Sequence, residues 1–220
     1  MSSANGSPAE HTGRRDGAGS AAAGPRLRIC AVGDEFIAGV GDRRALGWTG
    51  RVMARTSPEE PILLAELAVP GEATTALAAR WQEETKRRFA HDADNRLVIG
   101  LGAADLVHGL SVARSRLNLA NIVDSATSAR LGCFVVGPPP RPDLDADLQA
   151  SRSRAFADVC ERRGITYVET YAPLRAHQDW HSDLSSGDGI HPGQAGYGML
   201  AWLVLRSGWH EWLGVPGEMP

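Results

Sequence analysis

Cysteine is scarce in this sequence, with three residues in 220. Cys30, Cys133 and Cys160 stand far apart, and none belongs to a C-x-x-C pair or a Cys/His pattern, which argues against a zinc site. Their odd number and the length of the chain also argue against a disulfide framework. Cys30 and Cys133 lie inside apolar runs, so we expect both to be buried as small hydrophobic residues.

Long apolar runs and long basic runs are missing as well. The sequence contains no stretch of about 18 apolar residues, so it predicts no membrane span. The formal net charge is -3, and the basic cluster 86–88 is short and typical of a solvated helix end. Nothing therefore indicates a nucleic-acid partner. No Gly-rich phosphate loop follows the first apolar run, which disfavours a nucleotide cofactor.

The N-terminal region has the composition of an unstructured segment. Residues 1–25 are rich in Ser, Gly, Ala and charged residues, and the alanines at 21–23 are too few for the apolar part of a secretory signal. We expect a disordered tail over 1–25, one folded domain over 26–215 and a cytoplasmic protein.

Short apolar runs alternate with helical patterns along the rest of the chain. Mostly apolar runs of this length are typical of strands that are buried on both faces of a parallel sheet. The pattern therefore predicts a three-layer α/β/α sandwich with a five-stranded parallel sheet. The predicted strands are 27–32, 62–69, 97–101, 133–136 and 165–168, and the predicted helices are 48–55, 73–89, 112–130, 144–163 and 194–205.

Glycine marks the ends of the predicted strands, where open α/β sheets bind their ligands. Polar residues adjoin these glycines and also precede the last helix. The four blocks are Gly-Asp-Glu-Phe at 33–36, Pro-Gly at 70–71, Gly-Ala-Ala-Asp at 102–105 and Asp-Gly-Ile-His-Pro at 188–192.

These blocks, in this order, resemble those of the GDSL-type (SGNH) esterases over about residues 27–209. The resemblance implies a flavodoxin-like fold of the SGNH-hydrolase type, a small-molecule ester as substrate and no cofactor or metal. In that family the residue matching Glu35 is the nucleophilic serine, and His191 with Asp188 matches its base and orienting acid. Gly71 matches an oxyanion donor and Ala104 matches an oxyanion asparagine, in the block that begins at Gly102.

Two of these positions depart from the family pattern. Glu35 has no hydroxyl group, and Ala104 has no side-chain amide. Loss of one oxyanion donor costs roughly 100- to 1,000-fold in kcat, and loss of the nucleophile as well costs up to about a million-fold. We therefore expect ordinary serine chemistry to be impaired or lost.

Three interpretations of Glu35 are open. Its carboxylate fills the oxyanion pocket and pairs with His191, or it works as a base or nucleophile, or it points to solvent. The function is accordingly either hydrolysis of carboxylic esters, or binding of a small acylated ligand or a protein partner by an inactive family member.

Four further polar residues lie within these blocks or close to them. We expect Asp34 and Asp105 to be structural carboxylates that accept hydrogen bonds within their own loops. Thr74 and Thr75 are candidate substitute nucleophiles, but capping of the following helix is the favoured interpretation.

Overall fold

A computed structural model describes residues 24–217 of the chain. Nearly all of the predicted tail lies outside these residues, so the tail and the domain limits of 26–215 stay a prediction. All strand pairs are parallel, and the order across the sheet is β2-β1-β3-β4-β5. The predicted five-stranded parallel sheet is confirmed. Its strands are β1 (Leu27–Gly33), β2 (Ile62–Ala68), β3 (Asp94–Gly100), β4 (Gly132–Val136) and β5 (Thr166–Val168).

The helices fall into a predicted set and a set of short ones. The predicted set comprises α1 (Gly47–Met53), α2 (Thr74–Lys86), α4 (Val112–Ser128), α5 (Ala146–Glu161) and α8 (Gln194–Arg206). Sequence periodicity missed α3 (Ala104–Val107), α6 (Tyr171–Arg175), α7 (Gln178–Ser185) and α9 (Trp209–Leu213). These run for at most about two turns, which is too short to display a helical repeat. Within residues 24–217, no helix is long and apolar enough to cross a membrane.

Both faces of the sheet are buried, because successive strand residues point to opposite sides. Ile29 and Ala31 pack against residues of α1, α7, α8 and α9. Cys30 and Val32 pack on the other face, against α2, α4 and α5. Burial raises the pKa of Cys30 and of Cys133 to about 11, and their predicted placement in the core is confirmed. Because helices cover both faces of the sheet, the fold has three layers, α/β/α.

The centre of the sheet determines where a ligand can bind. Gly33 and Gly100 are register partners at the ends of β1 and β3. Gly33 has a φ of +151°, and a Cβ built there would overlap the carbonyl oxygen of Gly100. The chain leaves β1 for β2 on one side and later forms β3 on the other side. Gly33 therefore lies at the switch point where open α/β sheets bind their ligands.

Candidate active site

The first loop begins directly after β1 and directs two acidic side chains differently. Asp34 is 2 % exposed, and its Oδ1 accepts the N–H of Phe36 at 3.1 Å, as expected for a structural carboxylate. A Cβ on Gly102 would overlap Oδ2 of Asp34, so Gly102 lets the loops after β1 and β3 touch. The side chain of Glu35 instead faces the loop after β2.

Burial also changes the charge of Asp34. Its removal from water, reinforced by the neighbouring negative charge of Glu35, raises the pKa of the Asp34 carboxyl to about 8. The carboxyl group is therefore neutral at pH 7 in the folded chain, whereas in the unfolded chain it is ionised.

Substituting Asp34→Asn tests this protonation. Between about pH 4 and about pH 8 the folded chain holds a proton that the unfolded chain has lost, so rising pH favours unfolding. The free energy of unfolding of the native chain should fall, relative to the Asn variant, by up to about 1.4 kcal/mol per pH unit. Urea unfolding across this range measures the difference. A difference that stays constant with pH would contradict a neutral Asp34.

The Glu35 carboxylate lies between Gly71 and His191. Its Oε2 accepts the backbone N–H of Gly71 at 2.6 Å, and its Oε1 lies 3.5 Å from Nε2 of His191. The side chain is 13 % exposed. Of the three interpretations from sequence, this geometry matches the carboxylate in the oxyanion pocket and not the solvent-facing one.

Asp188 orients His191 from the opposite side of the imidazole. Nδ1 of His191 lies 2.5 Å from Oδ2 of Asp188. The other oxygen of Asp188 accepts the N–H groups of Ile190 at 2.9 Å and of His191 at 2.8 Å. Hydrogen bonds from the backbone and side chain of His191 hold the pKa of Asp188 well below its usual range. The pair is thus assembled, with Nε2 directed at Glu35.

Neighbouring loops fix the position of this pair. Gly41 has a φ of +95°, and a Cβ there would lie 2.8 Å from Cβ of His191, so a side chain would displace the imidazole. Asp183 accepts the N–H groups of Gly193 at 2.6 Å and Gly196 at 2.9 Å, which caps α8 just after the His191 loop. Sequence analysis missed Asp183. The signal that could have indicated a carboxylate acceptor is the pair of glycines three residues apart at the start of α8.

The loop that carries Gly71 is anchored by an arginine that sequence analysis also missed. Gly71 has a φ of +69°, the left-handed region that favours glycine. Arg80 of α2 contacts both carboxylate oxygens of Glu72, at 2.5 and 2.6 Å, and donates to the carbonyl of Leu67 at 2.8 Å. These bonds connect the loop to β2 and to α2.

Ala104 is buried at the start of α3 and offers no side-chain donor. The prediction for its neighbour Asp105 was wrong, because the carboxylate bonds outside its own turn. It accepts the N–H of Thr74 at 2.7 Å and the hydroxyl of Thr74 at 2.8 Å. Asp105 therefore links the two loops that carry Ala104 and Gly71.

The capping prediction for the threonines was wrong as well. The N-cap of α2 is Ala73, and no side chain caps it from that position. Asn118 instead donates to the hydroxyls of Thr74 and Thr75 at 3.0 and 2.9 Å. Asp105 accepts the first N–H of the helix, and the two threonines occupy the first two helical positions instead of the N-cap.

The assembled site contains a base and an acid but a carboxylate where a hydroxyl is expected. Among residues 24–217, no group of three or more His, Cys, Asp and Glu side chains is arranged to hold a metal ion. Gly71 and His191 both face Glu35. The arrangement can hold a carboxylate, and it lacks a side-chain alcohol at position 35 that could form an acyl-enzyme.

Comparison of the chain with solved structures reveals close relatives in fold. A lipase/acylhydrolase from Enterococcus faecalis is 21 % identical, with a TM-score of 0.71 over 88 % of this chain and 100 % of the other. An acetylxylan esterase from Geobacillus stearothermophilus is 20 % identical, with a TM-score of 0.69 over 86 % and 97 %. At such identities the likeness establishes the fold.

A psychrotrophic esterase from Pseudoalteromonas sp. is a third structure of this kind, 19 % identical with a TM-score of 0.65 over 85 % of this chain and 98 % of the other. No curated protein sequence matches the chain significantly. The sequence profile of the GDSL-like lipase/acylhydrolase family, however, matches residues 31–199. This span includes all four blocks of the cleft, and the chain therefore belongs to the GDSL-like lipase/acylhydrolase family.

Proposed function

We propose that this family member does not carry out serine-type ester hydrolysis and that its cleft binds a small acyl compound. The observation that carries the proposal is the hydrogen bond of 2.6 Å from the Gly71 N–H to Oε2 of Glu35. It places a carboxylate at the donor that, in the family mechanism, stabilises the oxyanion.

The occupied donor has a direct energetic consequence. A hydrogen bond to an ionised acceptor is about twice as strong as one to a neutral acceptor. The neutral carbonyl oxygen of an ester therefore competes poorly with Glu35 for the Gly71 N–H. Ala104 supplies no second donor, and the nucleophile itself is missing, so three requirements of the reaction fail together.

The choice of an acyl compound as ligand follows from the family and from the cleft. The three solved structures described above are a lipase/acylhydrolase and two esterases. In this chain Gly71 and the pair of Asp188 and His191 lie around the Glu35 carboxylate, which supports a site of acyl size. The proposal is therefore that the cleft still accepts an acyl group although the nucleophilic hydroxyl is replaced by a carboxylate.

A second candidate function is slow hydrolysis by a water molecule, with Glu35 or His191 as the base. The intact pair of Asp188 and His191 favours it, because a histidine oriented by a carboxylate is the usual general base of hydrolases. Activity measurements on the unmodified chain distinguish the two candidates.

The native chain is expected to hydrolyse p-nitrophenyl acetate no faster than its His191→Ala variant, within about twofold, since no nucleophile is available for the histidine to activate. Initial rates at matched protein concentration, corrected for the buffer rate, provide the measurement. The variant Glu83→Ala changes an exposed carboxylate on α2 and serves as the control. A native rate at least about tenfold above that of His191→Ala would support the water mechanism and contradict the proposal.

A further inference from the structure

The two oxygens of Glu35 have different partners in the cleft. One accepts the Gly71 N–H at 2.6 Å, and the other lies 3.5 Å from Nε2 of His191. The acid released by ester hydrolysis has the same two oxygens and, in the family mechanism, would meet the same two groups. Glu35 is therefore placed like a reaction product that is covalently attached to the chain.

The groups around this carboxylate are suited to an anion. A carboxylate only accepts hydrogen bonds, and Gly71 supplies a backbone donor. His191 is held through Nδ1 by Asp188, which leaves Nε2 for the cleft. When both ring nitrogens carry protons, Nε2 donates and the ring carries a positive charge.

We propose that the cleft is a carboxylate-binding site that the chain fills with its own Glu35, and that its external ligands are small monocarboxylates. This rests on the proposed function, since it uses the same pocket. An external acid binds when the Glu35 side chain rotates away from Gly71. A tethered carboxylate competes at an effective concentration of about millimolar or higher, so free acids bind the native chain weakly.

Acetate is the probe for this site, and the amide proton of Gly71 is the reporter. Glu35→Ala removes the tethered competitor and should bind acetate at least about tenfold more tightly than the native chain does. Saturating acetate should return the Gly71 amide proton of this variant towards its native chemical shift, because a charged acceptor is restored. NMR titration of the isotopically labelled chains measures both effects.

The isosteric variant Glu35→Gln keeps an acceptor at the Gly71 N–H but removes the negative charge, so it distinguishes the effect of filling the pocket from the effect of charge. Its amide oxygen can still accept the Gly71 N–H, so acetate binding should stay well below that of Glu35→Ala. His191→Ala introduced into Glu35→Ala should weaken acetate binding, and chloride at equal ionic strength should leave the Gly71 amide unchanged. Equal acetate affinity in the native chain and Glu35→Ala, or an unsaturable response in a folded Glu35→Ala, would overturn the inference. Acetate binding to Glu35→Gln as tight as that to Glu35→Ala would also overturn it.

This test is independent of the one for the proposed function. Hydrolysis of p-nitrophenyl acetate by the native chain that depends on His191 would contradict the proposed function without affecting acetate binding to Glu35→Ala. A native chain without hydrolysis whose Glu35→Ala variant fails to bind acetate would contradict the carboxylate site alone.

Discussion

The double variant Glu35→Ser/Ala104→Asn is expected to hydrolyse p-nitrophenyl acetate with a kcat/KM at least roughly 1,000-fold above that of the native chain. Serine at position 35 supplies the hydroxyl, and its shorter side chain leaves the Gly71 N–H free for an oxyanion. His191 is already held by Asp188 at 2.5 Å. Asparagine at position 104 adds the second donor. Steady-state hydrolysis of the purified variants gives the values.

The single variants show how much of the increase in kcat/KM comes from each substitution. Glu35→Ser alone should fall short of the double variant by roughly 100- to 1,000-fold, the cost of one oxyanion donor. Ala104→Asn alone should stay at the native level because the nucleophile is still absent. His191→Ala in the double variant should remove the acquired activity. A folded double variant without activity would show that the cleft does not have the geometry of a family active site.

Substituting Asp105→Ala is expected to lower the free energy of unfolding by about 3–5 kcal/mol, since it leaves a buried partner charge uncompensated. The partner is Arg152, whose guanidinium nitrogen lies 3.6 Å from Asp105, with both side chains at most 5 % exposed. The same change removes the acceptor for the Thr74 N–H and hydroxyl. Urea unfolding followed by circular dichroism measures the loss.

Asp124→Ala is the matched control for this experiment. Asp124 also pairs with an arginine, Arg163 at 2.7 Å, but its side chain is 59 % exposed. Exposed ion pairs contribute about 0–1 kcal/mol, so this variant should remain close to the native stability. Similar losses in the two variants would mean that burial of the Asp105 network does not determine its contribution.

The sequence predicted the sheet well because a two-sided parallel sheet leaves a strong pattern in short apolar runs. The sequence also predicted that the four blocks lie together at one edge of the sheet, because the carboxyl ends of parallel strands meet there. The short helices α3, α6, α7 and α9 were missed, because their periodicity is too brief to register.

Details of the site depend on contacts between distant segments, and these leave little trace in a single sequence. The bond from Thr74 to Asp105 joins residues 31 positions apart, so the local capping prediction could not anticipate it. The direction of the Glu35 side chain depends on the Gly71 N–H, 36 positions away. Three interpretations therefore stayed open until the loops could be placed in space.

The packing around His191 has a consequence for how fast the cleft can exchange its contents. Gly41 lies against the base of the imidazole, and the ring of Phe36 lies 6.1 Å from it, centre to centre. These contacts hold the histidine in place, so the exchange of ligands inferred above depends on the rotation of the Glu35 side chain. The Glu35 side chain is 13 % exposed, and it must break its bond to the Gly71 N–H before it rotates. The rate at which the cleft exchanges its contents should therefore be set by how often this bond breaks, and the dwell time of a ligand by the strength of the bonds that it forms there.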